Sequence, residues 1–481
     1  MSVLQGLQPE AVFRFFEEIC SIPHTSYHEK EISDYCVRFA EERGLFCSQD
    51  EMGNVLIAAE ATPGYEEEDT IIIQGHLDLV GDKVAGCTLD MEKEGLKLQV
   101  DGDYIRAEGT TLGGDDGIAV AYALAVLDAD DIPHPRLEVV LTVCEEVGLL
   151  GAAAMDLSQC RGRRLINIDS EIEGVLTAGC AGGRRVECRI PVQWTEETGF
   201  PHVITLDGLV GGHSGTEIDK GRANANLILG RFLLLLQKKM PVRLSALFGG
   251  AKENVIPKDG KLLLMLKPGE EDILMEVTGE FHRQMEAEYG TADPDIHLSV
   301  SVEKERSGRV LDPESAKKVI AALTLAPNGV QAMSMDLPGL VETSLNLGVM
   351  DLTENELVLK FSVRSSVPSA KEHVAGKLEL LTDLLGGTVT FQGDYPAWTY
   401  ARDSALRDLC VRIFEEQYGK KPEIQAIHAG LECGILSGKI EGLDCISFGP
   451  DQIDIHTPNE HLSISSVGRV WEYLKAILAA K

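Results

Sequence analysis

The stretch TIIIQGHLD at 70–78 is a short run rich in β-branched residues that ends on a histidine and a carboxylate. The same arrangement recurs in LEVVLTVCEEVG at 137–148 and in LINIDSE at 165–171, where an apolar run again leads into acidic residues. Runs of this length and composition predict buried strands. Each acidic motif therefore lies at the carboxyl end of a predicted strand, which is where open α/β sheets bind their ligands.

Helical patterns alternate with these strands, at 10–20 and in the apolar stretch DGIAVAYALAVL at 116–127. Such alternation predicts a sheet covered by helices, which is an α/β fold. The pattern changes in the middle of the chain to strands separated by long helices, which predicts a separate α+β layer with helices at 221–238, 271–289 and 370–385.

Composition restricts the class of protein. With 481 residues the chain exceeds the usual size of one hydrophobic core, so we expect two domains. The formal charge of -33 repels nucleic acid and anionic membranes, and neither is an expected partner. The first residues lack the pattern of a secretory signal, and no apolar run reaches the roughly 20 residues that a membrane helix needs. Eleven cysteines without a Cys-x-x-Cys pair indicate reduced thiols in a cytoplasm.

The motifs contain residues that typically bind divalent metals. Judged alone, each motif has a plainer explanation: Asp115 in GGDDG is placed as a helix N-cap, and CEEVG could be a solvated loop. Two glutamates at the end of an apolar strand nevertheless require cations or a wet cleft. Together the motifs predict a site for two metals, with the candidate ligands His76, Asp115, Glu146, Asp169 and His456.

Asp78 and Glu145 stand beside the candidate ligands without being needed as ligands. Asp78 is two residues from His76 on a strand end, so both side chains point to the same face, and its carboxylate can accept the second imidazole N–H. Because His456 would complete the metal set, the C-terminal part should join the first domain. We therefore expect residues 1–182 and 394–481 to form a metal-binding domain with 183–393 inserted.

The ordered set His-x-Asp, Gly-Asp-Asp-Gly, Glu-Glu, Asp and a late His resembles the M20 family of metallopeptidases over the whole chain. The wording HLDLV, GGDDGIAVA and SFGPDQIDIHTPNE is similar to the aminoacyl-histidine dipeptidase branch. The resemblance implies an α/β/α catalytic domain with a mixed sheet and an inserted α+β lid. It further implies that Asp115 bridges two zinc ions, one completed by His76 and Asp169 and the other by Glu146 and His456.

The resemblance also implies roles in proton transfer and substrate binding. Asp78 would orient His76, Glu145 would be the general base, and the bond joining Asp115 to Asp116 would be cis. His213 in GHSG matches a lid histidine that polarises the scissile carbonyl. Further candidates for contact with substrate are the lid residues Asn254 and Arg364 and the pocket residues His428 and Glu432.

The function that follows is a cytosolic di-zinc dipeptidase acting on small unblocked peptides, Xaa-His and β-Ala-His among them. Manganese or cobalt would tolerate the same ligands. Relatives of this kind form homodimers through the lid. An M20-type tripeptidase, carboxypeptidase or N-acyl amino acid deacylase would use the same metal core. An inactive metal-binding interaction protein is the alternative from another class.

Overall fold

The computed structural model describes residues 2–304 and 306–481, which form two compact units. The first unit contains the described residues through Gly179 together with Tyr400–Ala426 and Leu431–Lys481, and the second contains Cys180–Thr399 and Ile427–Gly430. The sequence placed the boundaries after 182 and 393, whereas the structure has them after 179 and 399. Residues 427–430 belong to the second unit because the Ala181 N–H lies 3.1 Å from the Ile427 carbonyl oxygen and 3.0 Å from that of Ala429.

The described residues form eleven α-helices: α1 (Glu10–Cys20), α2 (Lys30–Glu42), α3 (Gly114–Asp128), α4 (Leu150–Ala154), α5 (Ala225–Leu236), α6 (Glu271–Tyr289), α7 (Pro313–Leu325), α8 (Pro368–Leu384), α9 (Ala405–Tyr418), α10 (Glu432–Lys439) and α11 (Ile464–Leu478). A short 3₁₀ helix spans Ile218–Lys220.

The strands, in chain order, are β1 (Phe46–Gln49), β2 (Val55–Ala59), β3 (Ile71–His76), β4 (Leu98–Asp101), β5 (Tyr104–Ala107), β6 (Leu137–Thr142), β7 (Arg164–Asn167), β8 (Val175–Cys180), β9 (Gly182–Pro191), β10 (Trp194–Asp207), β11 (Gly212–His213), β12 (Leu244–Gly249), β13 (Val255–Ile256), β14 (Gly260–Leu266), β15 (His297–Val302), β16 (Arg306–Leu311), β17 (Gly329–Met333), β18 (Val341–Leu352), β19 (Glu356–Ser365), β20 (Thr388–Tyr395), β21 (Glu423–Ile427), β22 (Asp444–Ser447), β23 (Gln452–Ile453) and β24 (His461–Ser463).

An eight-stranded mixed sheet in the order β1-β2-β6-β3-β7-β22-β8-β21 organises the first unit. Its central strands β6, β3, β7 and β22 run parallel, and β1 and β2 add antiparallel strands at one edge. Every residue of β3 and β6 is buried, as expected for parallel strands covered on both faces. The β-branched runs that the sequence identified are therefore the centre of the sheet.

Helix α3 packs against this centre. Every residue of Ile118–Val126 is buried, and a helix that is apolar on all sides is stable only inside a protein. The close approach of α3 to β3 requires glycine at position 75, because a Cβ there would lie 2.6 Å from the Ala119 Cβ. The hydroxyl of Tyr122 donates to the Val467 carbonyl at 2.9 Å, and its ring stacks on Trp471. Helix α11 is thereby held against α3.

The second unit is built on a ten-stranded antiparallel sheet. Its main path is β15-β10-β14-β12-β18-β19-β9-β20, with β16 paired to β10 and β17 paired to β18. A separate hydrophobic core, which includes Phe232, Phe281 and Phe361, fills the space between this sheet and its helices. The predicted α/β fold class is confirmed. The strands β18 and β20 and the helices α2 and α7 were not predicted from the sequence.

Among the described residues, no helix combines the length and the apolar character that crossing a lipid bilayer requires.

The cysteines provide a test of this fold. None of the eleven forms a disulfide, and only Cys47 and Cys87 are partly exposed. Burial raises the pKa of Cys36 to about 12, so it carries almost no reactive thiolate at neutral pH. We expect a thiol-specific reagent such as DTNB to label at most two thiols quickly in the native protein. All eleven should react after unfolding in denaturant without reductant, and a smaller number would mean that disulfides are present.

Candidate metal centre and active site

Three acidic motifs meet at one edge of the first unit's sheet. Because β3 is parallel to both β6 and β7, the carboxyl ends of all three strands lie side by side. His76 is directly opposite Thr142 in this register, so CEEVG begins beside GHLD. Asp169 follows β7 by two residues, and the sheet alone brings the three motifs together.

Asp115 lies between two histidines. Its Oδ1 is 3.0 Å from Nε2 of His76, and its Oδ2 is 3.0 Å from Nε2 of His456. Nε2 of His456 is also 2.9 Å from Oε1 of Glu146, and Nε2 of His76 is 3.8 Å from Oδ1 of Asp169. The two oxygens of one carboxylate thus face two separate sets of ligand-type atoms, each consisting of an imidazole and a further carboxylate. This is the arrangement of a bridging ligand.

Three groups of side chains at this edge place their possible ligand atoms within 4.8 Å of one another: Asp115, Glu146 and His456; His76, Asp116 and Asp169; and His76, Glu145 and Glu146. Asp116 was not among the predicted ligands. It is completely buried, and its Oδ2 accepts the backbone N–H of His76 at 3.1 Å. The peptide bond between Asp115 and Asp116 is cis.

Asp78 does more than face the imidazole of His76. Nδ1 of His76 is 2.8 Å from the backbone carbonyl oxygen of Asp78 and 3.6 Å from its carboxylate, so Nε2 is directed toward Asp115. The Asp78 carboxylate also accepts the backbone N–H groups of Glu145 at 2.9 Å and Glu146 at 3.2 Å, and the Ser26 hydroxyl at 2.8 Å. One buried carboxylate therefore holds both GHLD and CEEVG.

The charges at this edge are unbalanced. Burial raises the pKa of Asp169 well above its usual range, and the neighbouring carboxylates of Asp116 and Asp115 act in the same direction. Hydrogen bonds to Asp115 and Glu146 raise the pKa of His456 to about 10. Several buried carboxylates surrounded by only two imidazoles are stable when cations are bound among them. The mixed imidazole and carboxylate set suits zinc, manganese or cobalt.

Glu145 is half-buried beside the candidate ligands. Burial raises the pKa of its carboxyl well above the usual range; His76 opposes this, whereas Glu432, Glu146 and Asp115 reinforce it. The direction of this pKa shift cannot be predicted from the sequence, which does not reveal how many carboxylates surround the group. A carboxyl of raised pKa is suited to both accepting and returning a proton near neutral pH.

The two loops that carry Glu146 and His456 are conformationally strained. Left-handed backbone occurs at Cys144 (φ 52°) and Leu149 (φ 61°), and again at Asp454 (φ 55°) and His456 (φ 61°). A residue other than glycine pays roughly 1–2 kcal/mol in this region. Such strain persists only where surrounding contacts enforce it, and it is concentrated at functional sites.

Glu432 lies elsewhere than predicted. Its side chain has no accessible surface, and its Oε2 accepts from Nε2 of Gln74 at 2.5 Å and the hydroxyl of Thr142 at 2.7 Å. Burial raises its pKa to about 7. The carboxylate is therefore buried against strands β3 and β6, close to the candidate metal ligands. From the sequence we expected it to line a substrate pocket.

In the second unit, His213 and Asn254 lie on neighbouring segments. His213 in β11 is opposite Val255 in β13, and the Asn254 carbonyl accepts the backbone N–H of Ser214 at 2.9 Å. Nδ1 of His213 accepts the backbone N–H groups of Gly215 and Thr216 at 3.3 and 3.2 Å. Burial, followed by Arg364, lowers the pKa of His213. These contacts favour the neutral tautomer with its proton on Nε2, which can donate a hydrogen bond.

Arg364 and His428 form a second group in this unit. Ser344, opposite Arg364 in the sheet, has its hydroxyl 2.7 Å from Nε2 of His428. Burial and then Arg364 lower the pKa of His428 to about 3, so its imidazole is neutral. Arg364 is only 8% exposed and donates to the hydroxyl of Tyr395 at 3.1 Å. Within residues 2–304 and 306–481, no carboxylate of the protein lies at ion-pair distance from this guanidinium.

Tyr395 and Asp116 are the site residues that the sequence did not identify. Tyr395 belongs to β20, a strand without a recognisable pattern, and carries no motif. The family pattern assigns a metal-binding position to Asp115 and none to Asp116, so it does not predict a place for Asp116 in the site. The doubled aspartate was the available signal for it, since a second carboxylate at the start of an otherwise apolar helix has to be buried with its neighbour.

Comparison with known proteins relates this geometry to a family. The model of peptidase family M20/M25/M40 matches residues 72–480. The chain is 36% identical over 481 residues to the cytosol non-specific dipeptidase of Escherichia coli (strain K12), with 99% of both chains covered.

Solved structures agree with this assignment. The aminoacylhistidine dipeptidase from Vibrio alginolyticus has a TM-score of 0.92 and 36% identity, covering 99% of this chain and 97% of that chain. An aminopeptidase from Bacillus cereus, at 18% identity and a TM-score of 0.56 over 98% of each chain, has the same fold. On the family match and the identity over its length, this chain belongs to peptidase family M20 and is a metal-dependent peptide hydrolase.

Proposed function

We propose that this protein is a cytoplasmic di-metal dipeptidase. The observation that carries the proposal is the position of Asp115, whose two carboxylate oxygens each lie 3.0 Å from a different histidine. His76, Asp169 and one oxygen of Asp115 would hold the first ion. Glu146, His456 and the other oxygen of Asp115 would hold the second. Zinc is the proposed metal, with manganese or cobalt as substitutes.

When bound, two such ions lower the pKa of water and polarise the carbonyl of the scissile peptide bond. Glu145 would accept the proton of the attacking water and deliver it to the leaving amine. Asp78 would keep Glu145 and Glu146 in place through their backbone N–H groups, to which it is hydrogen-bonded at 2.9 and 3.2 Å. One carboxylate that holds the backbone of two neighbouring residues would keep the base and the ligand at fixed positions, with side-chain oxygens of Glu145 and Glu146 within 4.8 Å of each other.

For the second unit we propose the recognition of the peptide itself. Arg364 is a buried cation beside which the described part of the chain places no carboxylate, and this suits the C-terminal carboxylate of a short peptide. His213, with its proton on Nε2, would donate to the carbonyl oxygen on which negative charge develops. Asn254 and His428 would bind the backbone of the peptide, and His428 would do so as a neutral imidazole.

The proposed substrates are unblocked dipeptides, with Xaa-His and β-Ala-His among them. This rests on the two relatives that are 36% identical over nearly the full chain, one named a non-specific dipeptidase and the other an aminoacylhistidine dipeptidase.

A homodimer formed through the second unit is also part of the proposal. The mass of the protein in solution tests whether it is a dimer.

Hydrolysis across a panel of peptides tests the activity. We expect the metal-loaded protein to cleave β-Ala-His, Gly-His and Leu-Leu, and to cleave a tripeptide or an N-acyl amino acid at least tenfold more slowly. Treatment with a chelator should abolish cleavage, and added zinc or manganese should restore it. Faster cleavage of the tripeptide or the N-acyl amino acid would instead identify a tripeptidase or a deacylase, and the absence of bound metal would refute the proposal.

Replacing the proposed base tests the mechanism. Glu145→Gln keeps the size of the side chain and removes its ability to take a proton. We expect kcat to fall by about 100- to 10,000-fold while two metal ions per chain remain bound, as measured by elemental analysis. Glu138→Gln is the matched control, because Glu138 is a buried carboxylate at the opposite end of β6. Wild-type turnover in Glu145→Gln would exclude this residue as the base.

Replacing Arg364 tests how the carboxylate is recognised. Losing one partner of a buried, hydrogen-bonded charge pair costs roughly 2–5 kcal/mol, so Arg364→Ala should lower kcat/KM for a dipeptide by about 30-fold or more. The same dipeptide with a C-terminal carboxamide should be affected much less, since it lacks the charge that Arg364 binds. Arg189→Lys, on a strand of the same sheet, is the control. Equal losses for both substrates would contradict carboxylate recognition.

A further inference from the structure

Glu460 is a buried carboxylate for which the proposed reaction has no use. It ends the loop 454–460 that joins β23 to β24, and it is only 3% exposed. This is the loop that carries His456. Glu460 is absent from all three groups of possible metal ligands, so a different role has to account for its burial.

The partners of Glu460 are backbone N–H groups. Oε2 accepts from Leu112 at 2.8 Å and from Gly113 at 3.2 Å, and Oε1 accepts from Gly114 at 2.8 Å and makes a longer contact of 3.5 Å with the N–H of Asp115. These four consecutive groups precede or begin α3. The first N–H groups of a helix have no partner within the helix, and Gly113, the N-cap, has no side chain to supply one.

The loop 454–460 therefore contacts both the side chain of Asp115 and the backbone segment that carries it. The imidazole of His456 meets the Asp115 side chain at 3.0 Å, while Glu460, four residues later, holds the backbone that carries Asp115. Gln452, on the strand before the loop, lies so close to Gly114 that a Cβ there would be 2.4 Å from its Oε1. With Glu460 bonded to the turn and the imidazole of His456 in contact with the Asp115 side chain, the left-handed conformation of His456 has little freedom to relax.

We propose that Glu460 is a positioning residue that fixes Asp115 relative to His456, and so sets the affinity of the metal ion held by Asp115, Glu146 and His456. This rests on the proposed di-metal function. A carboxylate suits the task because its two oxygens accept several N–H groups at once, and hydrogen bonds to a charged acceptor are stronger than those to a neutral one. The ion held by His76, Asp169 and the other oxygen of Asp115 should depend on Glu460 less, because His76 and Asp169 are placed by strands β3 and β7 and not by the loop 454–460.

Zinc binding to the metal-free full-length protein tests this assignment. The probe is Zn²⁺ alone, followed by calorimetry, with the absorption spectrum of bound Co²⁺ as a second readout of ligand geometry. Wild-type protein should bind two ions per chain. In Glu460→Gln, where an amide replaces the charge and puts N–H groups against N–H groups, one ion should bind about 10- to 100-fold more weakly and the other nearly as in wild type.

The matched control is Glu138→Gln. Glu138 is likewise a buried carboxylate that accepts backbone N–H groups, from Arg161 and Gly162, but it is remote from the metal ligands. It should lower thermal stability without changing either zinc affinity. A merely structural role for Glu460 would give the same result in Glu460→Gln and would overturn the assignment.

A second variant covers the case in which Glu460→Gln does not fold. Glu460→Asp retains the charge but shortens the side chain by one methylene, so the carboxylate can no longer reach the N–H groups of Leu112, Gly113 and Gly114 together. It should weaken the same single ion. Two ions bound as tightly as in wild type in this variant would also count against the proposal. Failure of the wild-type protein to bind zinc would refute the di-metal function itself. The role of Glu460 is tested separately, by comparing the variants with a wild-type protein that does bind zinc.

Discussion

The structure of the first unit depends on gathering negative charge at one buried edge of a sheet. The imidazoles of His76 and His456 contact Asp115, while Glu146, Asp116 and Asp169 add carboxylates within a few ångströms. Carboxylates taken out of water repel one another and lose their hydration. Bound cations offset both costs, so the metal ions that the site would hold are also part of what makes this arrangement of the chain stable.

Fixing such an arrangement requires control of the backbone as well as of the side chains. Asp78 accepts the N–H groups of Glu145 and Glu146, Glu29 accepts that of Cys144 at 3.0 Å, and Asp116 accepts that of His76. Carboxylates outside the proposed ligand set thus hold the segments that carry the proposed metal ligands. This explains how left-handed conformations at Cys144 and His456 are maintained, because charge-assisted hydrogen bonds on either side outweigh the local strain.

The two units differ in how their sheets bring polar side chains together. In the first, polar groups lie at the carboxyl ends of parallel strands, whose direction brings distant motifs to one edge. In the second, Arg364 and Ser344 lie opposite each other within an antiparallel sheet. Tyr395 lies on the edge strand β20 of the same sheet, and His428 comes from a segment outside it. A buried arginine surrounded by hydroxyl and imidazole groups recognises an anion, whereas a cluster of carboxylates recognises cations.

Sequence patterns predicted much of this. Apolar runs of strand length located β3, β6 and β7 to within about two residues, since a fully buried strand has to be continuously apolar. The motifs at the ends of these strands indicated the residues that meet around Asp115. Missing from the prediction were β18 and β20, which mix polar and apolar residues, and the position of Glu432, whose place in a short motif gave no measure of its depth.

By itself, then, the sequence determined which strands are buried, where each motif falls relative to them, and which residues have metal-binding chemistry. These are local properties, governed by hydrophobicity and by the period of the chain. Only the tertiary structure decided the partners: that Glu432 is held by Gln74 and Thr142, and that Glu460 accepts the N–H groups before Asp115. Such contacts join segments hundreds of residues apart, and those of Glu460 use backbone groups that every residue possesses. One sequence therefore contains no signal for them.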